Sequence, residues 1–132
     1  MAFQYSVTLR TNQVAQIQST VGASGTLKIF SGAEPANCAA ADPSGLLATI
    51  TLPATFLTSS GGATTIAGTW SATATGNGTA ASFRIYDGSA TCHVQGSVTI
   101  TGGGGDFILD NTSIAVGQTV SVTVATITVG NA

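Results

Sequence analysis

Residues 119–129 read TVSVTVATITV, with apolar and hydroxylic side chains alternating along nearly the whole stretch. Successive side chains of a strand point to opposite faces, so Val120, Val122 and Val124 share one face with Ser and Thr opposite. A slip at Ala125 and Thr126 then returns Ile127 and Val129 to the apolar side. One apolar face and one hydroxylic face is the pattern of an antiparallel sheet laid over a core. The same period recurs in SFRIYDG, residues 82–88. There Phe83 and Ile85 point one way and Arg84 and Tyr86 the other, which predicts a strand with a buried face and a working outer face.

Working outward, short runs rich in Val, Ile, Thr and Phe predict strands at 26–31, 46–52, 64–75, 80–87, 92–100, 106–110 and 119–129. Turn chemistry separates them: SGAEP at 31–35, DPSG at 42–45, SSGG at 59–62, GNG at 76–78, DGS at 87–89 and GGGG at 102–105. This predicts an all-β fold, a single antiparallel β-sandwich or jelly-roll-like domain. The one helical pattern is TNQVAQIQSTVG, residues 11–22, where Val14, Ile17 and Val21 share a face. Thr11 or Asn12 would cap its start and Gly22 its end. About three turns are not stable in isolation, so the apolar stripe must dock. The expected organisation is an N-terminal arm and short helix over 1–25 and a β-sandwich domain over 26–132.

A chain of 132 residues is one ordinary domain. Of its 43% apolar residues many are alanine, which leaves a modest set of Val, Ile, Leu and Phe to fill the core. Only 6% of residues are charged, against about 25% in ordinary soluble domains. The basic residues are Arg10, Lys28 and Arg84, and the acids are Glu34, Asp42, Asp87, Asp106 and Asp110. Three cations cannot form the stripe that neutralises several phosphates, which argues against nucleic-acid binding. No apolar run is long enough to span a bilayer, and MAFQYSVTLR lacks the early charge and apolar centre of a signal peptide. A mean hydropathy of +0.40 argues against disorder. The surface must consist largely of Thr, Ser, Gly, Ala and Asn, which fits work inside an assembly.

No residue pattern demands catalysis, and no cofactor is expected. Cys92 and His93 tempt a nucleophile-and-base reading, but adjacent strand residues point to opposite faces. One histidine with few acids nearby does not compose a zinc site. Asp87 and Asp106 could pair for glycoside hydrolysis, yet each sits beside glycine where aspartate serves turns. Asp106 and Asp110 offer too few oxygens for calcium. The run Gly102–Gly105 lacks the Lys and Ser/Thr of a phosphate loop and suits a hairpin instead. Trp70, the lone tryptophan, is either a sugar-stacking platform or a packing anchor, packing being the commoner use. Cys38 and Cys92 are too far apart for a CxxC motif. They are either a disulfide or two partly buried free thiols, and redox context decides between these.

LKIFSGAEP from residue 27, LLATITLPATF from 46, AGTWSATATGNGTAASFRIYDGSATCHVQGSV from 67 and DNTSIAVGQTVSVTVATIT from 110 together carry a resemblance. In this order they resemble a family of small proteins encoded among the virion structural genes of tailed bacteriophages and prophages. The resemblance covers nearly the whole chain. It implies a non-enzymatic virion component, foremost a capsid decoration or cement protein on the outer head shell. Its partners would be the major capsid protein and further copies of itself, as a trimer or another symmetric oligomer, without nucleic acid or membrane. It would be made in the host cytoplasm and reside on the outer capsid surface. The alternative within the virion is a tail or head-fibre module that binds host-surface glycans through Trp70 or Tyr86. A third reading, from another class, is a small hydrolase using Asp87 and Asp106. Interface candidates are Phe3 and Tyr5, which alternate with Val7 and Leu9 along arm 1–10, together with Trp70 and Tyr86. The arm would add to a neighbour's sheet edge or be the first strand of its own sandwich. Loops 31–45 and 53–63 have the composition of contact loops on a rigid scaffold.

Overall fold

The computed structural model describes residues 4–128. One helix, α1 (Val7–Val21), precedes strands β1 (Thr26–Phe30), β2 (Leu46–Thr51), β3 (Leu57–Ser60), β4 (Ala63–Ile66), β5 (Ser71–Thr73) and β6 (Gly78–Thr79). The series continues with β7 (Ser82–Tyr86), β8 (Cys92–Ile100), β9 (Phe107–Leu109), β10 (Ser113–Ile114), β11 (Thr119–Ala125) and β12 (Ile127–Thr128). Seven strands form the main sheet in the order β2-β1-β7-β8-β9-β11-β5. Its two edges meet where Thr75 and Gly76 N–H both donate to Leu47 O, at 2.8 and 3.2 Å. Gly76 is required there, because a Cβ would collide with the carbonyl of Leu46. The fold is thus mostly β, with one helix and a nearly closed main sheet. Strands β12-β4-β3 form a second small sheet and β10-β6 a third.

The interior is built on aromatics. Phe83 and Phe107 stack with centroids 3.7 Å apart, and Trp70 tilts against Phe107 at 5.8 Å and Phe56 at 5.9 Å. Leu27, Ile29, Ile50, Ile85 and Leu109 are wholly buried around them. Large rings supply the apolar area that an alanine-rich chain otherwise lacks. Gly96 lies opposite Phe83 on the neighbouring strand, where a Cβ would stand 2.7 Å from the ring.

The helix starts earlier than its pattern predicts. Ser6 is the N-cap and its Oγ accepts from Leu9 N–H at 3.1 Å, so Val7 and Leu9 lie on the first turn and not on a strand. The arm expected over 1–10 is corrected accordingly. A strand there would need a partner edge, whereas a helix satisfies its own backbone. Phe3 lies outside the described residues. Val14 and Val21 are buried and Ile17 packs on the core, as the stripe predicts. Gly22, at φ 79°, ends the helix and donates to Gln18 O.

Other expectations need correction too. The stretch 119–129 pairs with β9 and β5, but its register shifts between Val122 and Val124. Val124 is therefore exposed and Ala125 buried, with the strand resuming as β12; Val129 lies outside the described residues. The expected strand 64–75 is broken into β4 and β5, and the expected loop 53–63 contains β3, hairpin partner of β4.

The main sheet is not wholly antiparallel, because β8 and β9 run parallel. A parallel pair ordinarily needs a crossover of about a dozen residues or more, and here residues 101–106 suffice. Glycines make this possible. Gly102 and Gly104 hold φ of 84° and 77°, and a Cβ on Gly103 or Gly105 would stand within 2.8 Å of the Thr99 side chain. The chain doubles back along the end of β8: Gly105 N–H donates to Thr99 Oγ1, and the Asp106 carboxylate accepts from Ser97 N–H and O–H. The hairpin expected at Gly102–Gly105 is thus a return loop that feeds a parallel strand.

Candidate functional site

Strand β7 was expected to have one buried and one working face, yet all five of its side chains are buried. The loop 31–45 covers the outer face. Arg84, 2% exposed, is the post on which it is fastened. Its Nη1 donates to Ala40 O at 3.0 Å and to Asp42 Oδ1 at 2.9 Å, and its Nη2 donates to Asn37 O at 2.9 Å. Nε and Nη2 also reach Gln95 Oε1 from the adjacent strand β8, while Gln95 Nε2 donates to Pro35 O at 2.7 Å. The planar guanidinium suits this work, because its fork reaches three loop acceptors from one direction.

Tyr86 completes the fastening, its hydroxyl donating to Asp42 Oδ1 while Lys28 Nζ stands 5.0 Å over its ring. Burial acts to raise the Asp42 carboxyl, but the Tyr86 hydroxyl and the Arg84 guanidinium outweigh it and hold the group below its ordinary 3.8. Burial, reinforced by the nearby carboxylate, pushes the Tyr86 phenol above its ordinary 10.0. The loop is ordered from within as well: Asn37 Oδ1 accepts from Ala39 and Ala40 N–H.

Two thiols meet at the same place. Cys92 lies opposite Tyr86 across a register shift that sets His93 aside, and its S–H donates to Val94 O at 3.6 Å. Cys38, in the turn held by Arg84, is its neighbour; burial first and this second thiol next push Cys92 up to about 12. Both cysteines are free and partly buried.

The remaining candidates have separate tasks. His93 Nε2 pairs with Asp87 Oδ2 at 2.9 Å and makes no bond to Cys92. The partner His93, with Thr91 and Ser89 N–H, holds the Asp87 carboxyl below its ordinary value. Asp87 thus fixes the turn before β8. Asp106 is bound to Ser97, four residues further along that strand, or about 13 Å at the usual rise. Asp110 accepts from Ser121 N–H. The three acids therefore anchor three different pieces of backbone. A shallow groove of about 190 Å³ lies between α1 and β8, lined by Gln13, Gln16, Ile17, Thr20, His93 and Val94.

Trp70 and Tyr86, both expected at an interface, are 1% and 4% exposed. Trp70 is part of the aromatic core, and Tyr86 lies beneath the loop. Tyr5 is partly exposed just before α1, beside Val7 and Leu9, which are 54% and 44% exposed. Among the described residues, no cluster of three or more His, Cys, Asp or Glu could hold a metal ion. No described helix is long and apolar enough to cross a membrane.

Asp42, Asn37 and Gln95 were not singled out in the sequence. The signal for them is Arg84 itself: a cation set between Phe83 and Ile85 in a charge-poor chain calls for a carboxylate and carbonyls nearby. Comparison with known proteins gives no match, whether against family models, curated proteins or solved structures.

Proposed function

We propose that the protein is a non-enzymatic structural component of a tailed-bacteriophage virion, a decoration or cement protein that binds the outer head shell and stabilises it. The observation that carries this reading is how few charges there are, and that most of them are already tied to neighbouring groups. Arg84 and Asp42 fasten a loop, Asp87 pairs with His93, Asp106 and Asp110 hold backbone, and Lys28 stands over Tyr86. What faces outward is mainly hydroxyl, glycine and alanine. Many identical copies packed on one shell would repel one another if strongly charged, and such a surface avoids that cost.

The fastened loop supports the same reading. A contact segment ordered before binding does not lose its conformational freedom on docking. Val7 and Leu9 add exposed apolar area at the start of α1. The partner is the major capsid protein, with symmetric self-association on the shell, and the site of action is the outer capsid surface. A jelly-roll-like sandwich, with the main sheet folded across its aromatic interior, is the finer architecture proposed with it. The glycan-binding alternative rested on Trp70 and Tyr86, and neither ring is at the surface.

The test is to mix purified protein with head shells that lack it, pellet the shells, and measure co-sedimentation and rupture temperature. Saturable binding with a higher rupture temperature is expected, because a ligand of the assembled state alone stabilises that state. Protein that stays in the supernatant, with rupture unchanged, overturns the reading and directs the same assay to tails and host glycans.

A further inference from the structure

We infer that Cys38 and Cys92 form a redox-closed staple that locks loop 31–45 onto the outer face of β7 and β8. This inference does not depend on the virion reading. The geometry supports it from both sides of the bond. Cys38 immediately follows Asn37, whose carbonyl is held by Arg84 Nη2, and Ala40 O is held by Nη1 of the same guanidinium. The turn that carries Cys38 is thus seated on the sheet before any bond forms. Cys92 is fixed from below, opposite Tyr86 in the ladder, and Tyr86 is tied through Asp42 to the far end of the same loop. Gln95, three residues along β8 from Cys92, holds Pro35 O at the near end. Loop and strand are therefore joined by hydrogen bonds on either side of the thiols, which keeps the two cysteines on facing segments.

The chemistry is thiol–disulfide exchange with a small oxidised disulfide such as oxidised glutathione. The Cys38 thiolate attacks one sulfur of that disulfide and releases one thiolate, leaving a mixed disulfide on Cys38. Cys92 then loses its proton to solvent and its sulfur attacks Cys38 Sγ, expelling the second small thiol. Two protein thiols are oxidised, one small disulfide is reduced to two thiols, and the two protein protons end on those thiols. Cys92 is the second attacker because its S–H is engaged by Val94 O on the strand and burial disfavours its thiolate, so the closing step accelerates as pH rises.

Full-length protein, first reduced, is incubated with oxidised glutathione and then examined by intact mass, thiol alkylation and peptide mapping without reductant. The expected product is monomeric, lighter by two hydrogens, takes up no alkylating reagent and yields a cross-linked Cys38–Cys92 peptide. Its thermal midpoint should rise by roughly 10 °C and fall back on reduction, since the bond closes a long loop of the unfolded chain. Cys92→Ser should stop at a stable glutathione adduct on Cys38. Two free thiols after exposure, a doubly glutathionylated chain, or a disulfide-linked dimer would each overturn the staple. An adduct forming faster on Cys92 in Cys38→Ser than on Cys38 in Cys92→Ser would overturn the order of attack.

Discussion

Arg84 makes five hydrogen bonds from a site almost without solvent, and three of its acceptors belong to a segment that otherwise has little regular structure. Removing the guanidinium leaves two loop carbonyls without their donor and the Asp42 carboxylate without its cation. Arg84→Met should therefore cost about 3 kcal/mol in urea unfolding. Arg84→Lys should recover only part of this, because an ammonium has three donors on one atom where the guanidinium spreads five over three nitrogens of a plane. The pH profile follows from the same cluster. The folded Asp42 carboxyl titrates below its ordinary 3.8, so its contribution is complete above that value and is lost as pH falls through the lower folded value. Tyr86 has the opposite sense. Its folded pKa is raised, so its contribution is complete below 10.0 and is lost as pH climbs beyond it. A thermal midpoint measured across pH should thus fall at both extremes, and Tyr86→Phe should blunt the alkaline fall.

Gln18 is to the helix what Arg84 is to the loop. Its Oε1 accepts from Phe56 and Leu57 N–H, at 2.9 and 3.0 Å, and its Nε2 donates to Ala54 O at 2.8 Å. Gln18→Ala should cost about 2 kcal/mol and raise amide exchange at residues 56 and 57, whose N–H groups lose their acceptor. Helix fraying alone would leave those two amides protected. Neither Gln18 nor Arg84 was legible as an anchor, since a polar residue on the outward side of a helix or strand reads locally as solvated. What covers it comes from 36 to 47 residues away. The strands with large alternating residues were legible because period two is a local property. Strand β3, LTSS, was not, having one large apolar residue in four. The glycine run was legible as a place of free backbone, but free backbone does not say which way the next strand runs.

At the scale of the whole molecule, the sequence pattern carries the class, and the closure of the sheet arises from contacts no window of sequence contains. The nearly uncharged exterior is legible from composition, whereas the partners of the few charges, such as the buried Arg84 under its loop, are visible only once the chain is folded. The order of the main sheet has a further consequence, for the time course of synthesis. Strand β5 has β11 as its ladder partner in the main sheet, and β9 lies between β8 and that same β11. A ribosome delivers β5 nearly fifty residues before β11. Until residues 119–125 emerge, β5 has no ladder partner beyond the two bonds to Leu47 O just past its end, and β9 has only a parallel neighbour, which no hairpin turn can zip to it. The nascent chain therefore remains an open sheet with exposed rings, and is most prone to aggregate in that interval. Its closure is a single late event, in which one strand completes both sides of the gap.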